Sequence, residues 1–128
     1  MATHTTDFWP DDIGLSELRT PVSLLREQAA ALGEKTKNVV TGEVTSNSQG
    51  ELFLHALFLV APAINYRYQL LTIRHPLVFY PMAVTTPGSS SWITVGSEEG
   101  FVAWLKSVLA SDNTKRVVQA LIAQSQGQ

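Results

Sequence analysis

A chain of 128 residues with a net charge of −2, 45% hydrophobic and only 16% charged residues reads as one domain, large enough to bury a core without staples. It contains no cysteine, which excludes disulfides and cysteine-ligated zinc, and it lacks the basic surplus that general nucleic-acid binding needs. Its longest apolar run, Leu52 to Ile64 broken only by His55, is too short for a membrane-spanning helix, and Met1 to Pro10 has neither the basic nor the apolar region of a secretory signal; the expectation is a soluble, cytoplasmic protein with no membrane partner.

Residues 1–13 read as a flexible acidic arm, and residues 14–125 as a single α+β domain. Asp7, Asp11, Asp12 and Glu17 precede the first Lys or Arg. The arm also holds Phe8, Trp9 and Pro10. An aromatic pair left in water wastes apolar surface, so it is expected to dock, on its own domain in the plainer reading or on a partner in the sharper one. Leu15, Leu18, Val22, Leu25, Ala29 and Leu32 then recur at alternating three- and four-residue spacing, one stripe of a helix. Thr20 suits the N-cap and Pro21 the first helical position, so the main helix is predicted to start there, after a separate short turn over 13–19. Gly33 is the expected C-cap.

Asn38 to Ser46 reads as a first strand and Asn47 to Gly50 as the turn of a hairpin. The second strand, Glu51 to Ala61, is apolar at both odd and even positions, which predicts cover on both sides. The third, Tyr66 to Arg74, sets Tyr66, Tyr68, Leu70 and Thr72 on one face and Arg67, Gln69, Leu71 and Ile73 on the other. The fourth, Leu77 to Thr85, contains Pro81, which lacks a ladder donor and points to an edge or a bulge. Trp92 to Val95 is long enough for a short fifth strand. Ser97 caps a helix with Glu98 and Glu99 in its first turn and Phe101, Trp104, Leu105, Val108 and Leu109 on its apolar face. A last helix spans Thr114 to Gln124, with a frayed tail from Ser125 to Gln128. The fold class is therefore α+β: an antiparallel four- to five-stranded meander with one N-terminal and two C-terminal helices.

Chemistry is sparsely signalled. His55 lies in an apolar strand and His75 at a strand end before Pro76; both read first as structural, and no catalytic residue, cofactor or metal site is predicted. His4, His55 and His75 lack ligand spacing. The loop Thr85 to Ser91 and the stretch Val95 to Gly100 lack the residues of phosphate-binding loops. From Leu52 through Ser97 there is no carboxylate, only Arg67, Arg74, His55 and His75, so the middle of the chain is mildly basic and the arm acidic. Tyr66, Arg67, Tyr68, Arg74 and His75, with Phe8 and Trp9, are the candidate partner or ligand contacts; two arginines are too few for nucleic acid. The leading expectation is a non-catalytic protein-interaction module of adaptor, chaperone-like or toxin-neutralising type, whose protein partner includes a second copy of itself as a homodimer. If all helices fall on one side, an apolar sheet face is left for that partner. The alternative is a small enzyme or ligand-binding domain with a pocket near His55, Arg74, His75 and Tyr80.

Overall fold

The computed structural model describes residues 6–16 and 18–127; His4, Glu17 and Gln128 lie outside them. Helix α1 spans Pro21–Lys35, strand β1 Thr41–Gln49, β2 Leu52–Ala61, β3 Tyr66–His75, β4 Met82–Thr85 and β5 Ile93–Val95; helix α2 spans Glu98–Leu109 and α3 Asp112–Gln126. The strands form one antiparallel five-stranded sheet in the order β1-β2-β3-β4-β5, as the meander reading requires. Among the described residues no helix is long and apolar enough to cross a membrane.

Each helix start has its side-chain cap. Thr20 Oγ1 accepts the Ser23 N–H, Ser97 Oγ the Gly100 N–H and Ser111 Oγ the Thr114 N–H. Such caps satisfy one of the donors that a helix leaves orphaned. The expected C-cap at Gly33 is corrected. The helix runs on to Lys35 and stops where Lys37 and Asn38 turn left-handed, at φ 52° and 65°, and the Asn38 N–H donates back to the Gly33 carbonyl. Gly33 is small because the Asn38 side chain folds over it: a Cβ there would lie 2.9 Å from Asn38 Oδ1. Residues 13–16 and 18–19 form no helical turn, so the stripe begins only at Val22, and Leu15 and Leu18 are exposed. The last helix starts earlier than expected, at Asp112, and continues through Ser125 to Gln126, with no frayed tail before Gly127.

The first hairpin turns on Gly50 and Glu51, since Gln49 pairs with Leu52. Gly50 at φ +61° occupies the first position of a two-residue loop, where a left-handed residue matches the twist of the flanking strands. β1 consequently extends to Gln49, beyond its predicted end. Two further expectations are overturned. Pro81 precedes β4 rather than interrupting it, and β4 pairs with β3 on one side and β5 on the other, so it is no edge. In β3 the register shifts between Leu57 and Phe58 of its partner: Leu57 faces Leu71 but Phe58 faces Gln69, leaving Leu70 as the extra residue of a bulge. The bulge exchanges faces, so Thr72 lies with Arg67 and Gln69, and the Gln69 amide donates to its hydroxyl at 2.6 Å.

All the core lies on one side of the sheet. Leu57, Leu59, Ala61, Leu70, Leu71, Ile73, Met82, Val84 and Val95 pack with Leu24 and Leu25 of α1, Phe101 and Leu105 of α2 and Leu121 of α3. The predicted two-sided cover of β2 is thus wrong: the helices cover its odd-numbered face alone. Helix α1 can approach β1 this closely because Gly42 has no side chain. A Cβ at Gly42 would sit 2.5 Å from both Cα and Cβ of Ala29. Gly42→Ala is expected to destabilise the fold by about 1–3 kcal/mol through forced helix displacement. Gly96→Ala, whose Cβ meets nothing within 4 Å, should stay within about 0.5 kcal/mol. Urea unfolding of the two variants beside the parent measures the difference.

Candidate functional site

Strand alternation assigns the uncovered side of the sheet to Leu52, Leu54, Ala56, Phe58 and Val60 of β2, with Glu43 and Thr45 of β1 and Arg67, Gln69, Thr72 and Arg74 of β3 beside them. Leu54, Phe58 and Val60 are half-buried by their neighbours but belong neither to the core nor to the residues packed against it. Ala56 is the least exposed of the row, as a methyl between longer side chains must be. Two arginines lie over aromatic rings on this face. The Arg67 guanidinium stands 4.2 Å from the Phe58 ring centre and donates to Glu43 at 2.8 Å; the Arg74 guanidinium stands 4.2 Å from the Trp92 ring centre. Arg74 has no carboxylate partner among the described residues. The open face is therefore an apolar ladder with two cation–π arginines along its β3 side, towards its two ends.

The predicted aromatic-basic patch is thus divided. Arg67 and Arg74 share the open face, while Tyr68 packs against the core on the helix side, Tyr66 stands at the start of β3 and His75 is buried. Phe58 and Trp92 supply the rings instead. Phe8 and Trp9 are 91% and 72% exposed, so the reading in which they pack on their own domain is corrected.

The histidines do meet, on the helix side, at the end of the sheet near the first hairpin. His55 pairs with Ile73 and His75 with Phe53, which makes the two imidazoles diagonal neighbours across β2 and β3. Their Nε2 atoms are 3.1 Å apart, His55 Nδ1 is 2.7 Å from Ser46 Oγ and His75 Nδ1 is 2.7 Å from the Pro76 carbonyl. A carbonyl only accepts, so His75 carries its proton on Nδ1. His75 Nε2 then accepts from the His55 Nε2–H, and His55 Nδ1 accepts the Ser46 hydroxyl. Phe53 stacks on His75 and Phe79 meets its edge. Adding a proton at His55 Nδ1 would turn that nitrogen from acceptor to donor. Burial, then His75, then Arg26 of α1 lower the His55 pKa to about 4.

Ser46 was not among the residues that the sequence analysis singled out. Its signal was the turn: with Gly50 and Glu51 at the tip, residue 46 stands opposite 55. A hydroxyl donating to an imidazole is the contact of a nucleophile with its base. An imidazole with a pKa of about 4 is a poor base near neutrality, however, and the arrangement instead serves as a closed hydrogen-bond relay that satisfies two buried rings. Arg74 points to the opposite face from His75, its strand neighbour. Tyr80 packs against the core with its hydroxyl unpartnered, its pKa raised by burial and then by Glu98. Of the four residues of the expected pocket, His55 and His75 meet, while Arg74 lies on the opposite face of the sheet. A cavity of about 220 Å³ lies between α1, α3 and the sheet and is lined mainly by Ala29, Leu32, Leu57, Leu59, Leu70 and Val118. It is smaller than most ligand sites. Its buried hydroxyl, on Thr114, is already bonded to the Val108 carbonyl. Among the described residues no group of three or more His, Asp or Glu could hold a metal ion.

Comparison of the chain with protein-family models, with curated proteins and with solved structures finds no match.

The His55 relay has a pH signature. Its folded pKa of about 4 lies below the ordinary 6.5, so the unfolded chain binds the proton more readily. Stability is full above pH 6.5 and falls as the pH drops from there towards 4, by at most about 3 kcal/mol. Urea midpoints at pH 7 and pH 4.5 should differ accordingly, and His55→Asn should reduce that difference while lowering stability at pH 7.

Proposed function

We propose that this chain is a protein-interaction module that binds through the open face of its sheet. The observation behind this reading is the row Leu54, Phe58 and Val60, which lies outside the core on a side no helix covers. A monomeric protein rarely leaves such a row wet, and contiguous apolar surface rimmed by polar groups marks interaction sites. The rim indicates what kind of partner fits. Arg67 and Arg74 line the row along β3, and the chain has no carboxylate from Leu52 through Ser97. An acidic segment bearing aromatic side chains meets both features, its rings on the ladder and its carboxylates on the guanidinium groups.

The test is a comparative capture from the native host with three immobilised proteins: the parent, Phe58→Ser with Arg74→Glu on the open face, and Lys115→Glu on the exposed side of α3. Phe58→Ser removes one half-buried ring and one cation–π contact, a loss of about 1–2 kcal/mol that leaves the chain folded. The expected result is a protein held by the parent and by Lys115→Glu and lost from the open-face variant, with circular dichroism unchanged. Equal capture by all three removes the open face from the reading.

A further inference from the structure

We infer that the occupant of the open face is the N-terminal arm of a second copy of this chain, so that two copies exchange arms. The inference rests on the open-face reading and goes further by naming the segment. The arm brings groups that suit the face: Asp7, Asp11 and Asp12 are acidic, and Arg74 has no carboxylate partner among the described residues, while Phe8 and Trp9 are aromatic. The face has what the arm lacks, an apolar ladder and two guanidinium groups.

The arm is also left unused by its own chain. Phe8, Trp9, Ile13, Leu15 and Leu18 are all exposed, from 60% to 105%. Among the described residues up to Leu18 its hydrogen bonds are local: Asp7 Oδ1 accepts the Trp9 N–H, the Pro10 carbonyl the Ile13 N–H and Ser16 Oγ the Leu18 N–H. Two uncovered surfaces of complementary charge on one chain are cheapest to cover by a symmetric exchange, in which each copy donates one arm and receives one. Reach is sufficient. The fourteen residues from Asp7 to Thr20, before the start of α1, span about 45 Å when extended, against a sheet width of about 19 Å over four interstrand gaps.

Charge reversal in the full-length chain tests this. One variant carries Asp11→Lys and Asp12→Lys, so its arm is basic and its face unchanged. The other carries Arg67→Glu and Arg74→Glu, so its face is acidic and its arm unchanged. Light scattering across a concentration series should find the parent dimeric, with the dimer weakened at least tenfold in each variant alone and restored when the two are mixed, because each basic arm then meets an acidic face and each acidic arm a basic one. Misfolding cannot produce that restoration. Phe8→Ala with Trp9→Ala should weaken the parent dimer and leave the thermal midpoint of the body unchanged.

A parent chain that stays monomeric at every concentration overturns the exchange, including the case where its own arm folds back over its own face. A dimer that ignores the arm substitutions overturns it too. Neither result touches the capture experiment, in which loss of a host protein from the Phe58→Ser, Arg74→Glu variant still supports the open face with a different occupant.

Discussion

Strand β2 carries an apolar side chain at nearly every position, so both faces of the sheet need cover, yet the three helices all lie on one side. Their placement follows from connectivity and from small residues. Helix α1 enters from the N-terminal side and rests on β1, where Gly42 lets its backbone approach; α2 and α3 return after β5 and close the same layer over Val95, Leu59 and Leu70. The resulting two-layer body buries the odd-numbered residues of β2 from His55 to Ala61 and leaves the even-numbered ones to side chains that lean across them. Arg67 over Phe58 and Arg74 over Trp92 are the local remedy, a long aliphatic stem on apolar surface with its charge in water. That remedy is partial, and it makes the uncovered layer the surface where this molecule has most to gain from contact.

The histidine pair belongs to the covered layer and shows a different solution to a related problem. Two imidazoles at the end of the core would each leave a nitrogen unsatisfied, at a cost of about 1–3 kcal/mol per group. Chained from Ser46 through His55 and His75 to the Pro76 carbonyl, every ring nitrogen has a partner. The relay spans β1, β2 and the end of β3, and so ties together the strands where α1 begins. Its cost is a dependence on the neutral form of His55.

The architecture was largely legible from residue order: the Thr20-Pro21 and Ser97 helix starts, the four strands with their connecting turns and the meander were all read from capping chemistry and apolar periodicity. Boundaries failed where one residue could serve two roles. Gly33 looked like a helix stop but is a gap for Asn38, and Pro81 looked like part of a strand but stands before one. The candidate surface was half legible. Arginines at 67 and 74 were visible, but which rings accompany them was not, because a bulge is invisible to strict alternation. The side on which a helix docks depends on contacts distant in sequence, such as Ala29 on Gly42, and no local pattern encodes it.

That bulge constrains how the chain can change length. Strand β3 supplies Leu70 and Leu71 in succession to the helix side, and only the extra residue allows Arg67 and Gln69 to share a face with Thr72 and Arg74. Keeping Leu70 in a regular ladder would rotate everything between Tyr66 and Gln69 through half a turn, carrying a guanidinium into the core and Tyr68 into water, whereas deleting Leu70 would restore plain alternation with every other side chain on its present face. The bulge is therefore a spare residue: β3 can lose Leu70 at the cost of one core side chain while both faces of the strand stay as they are.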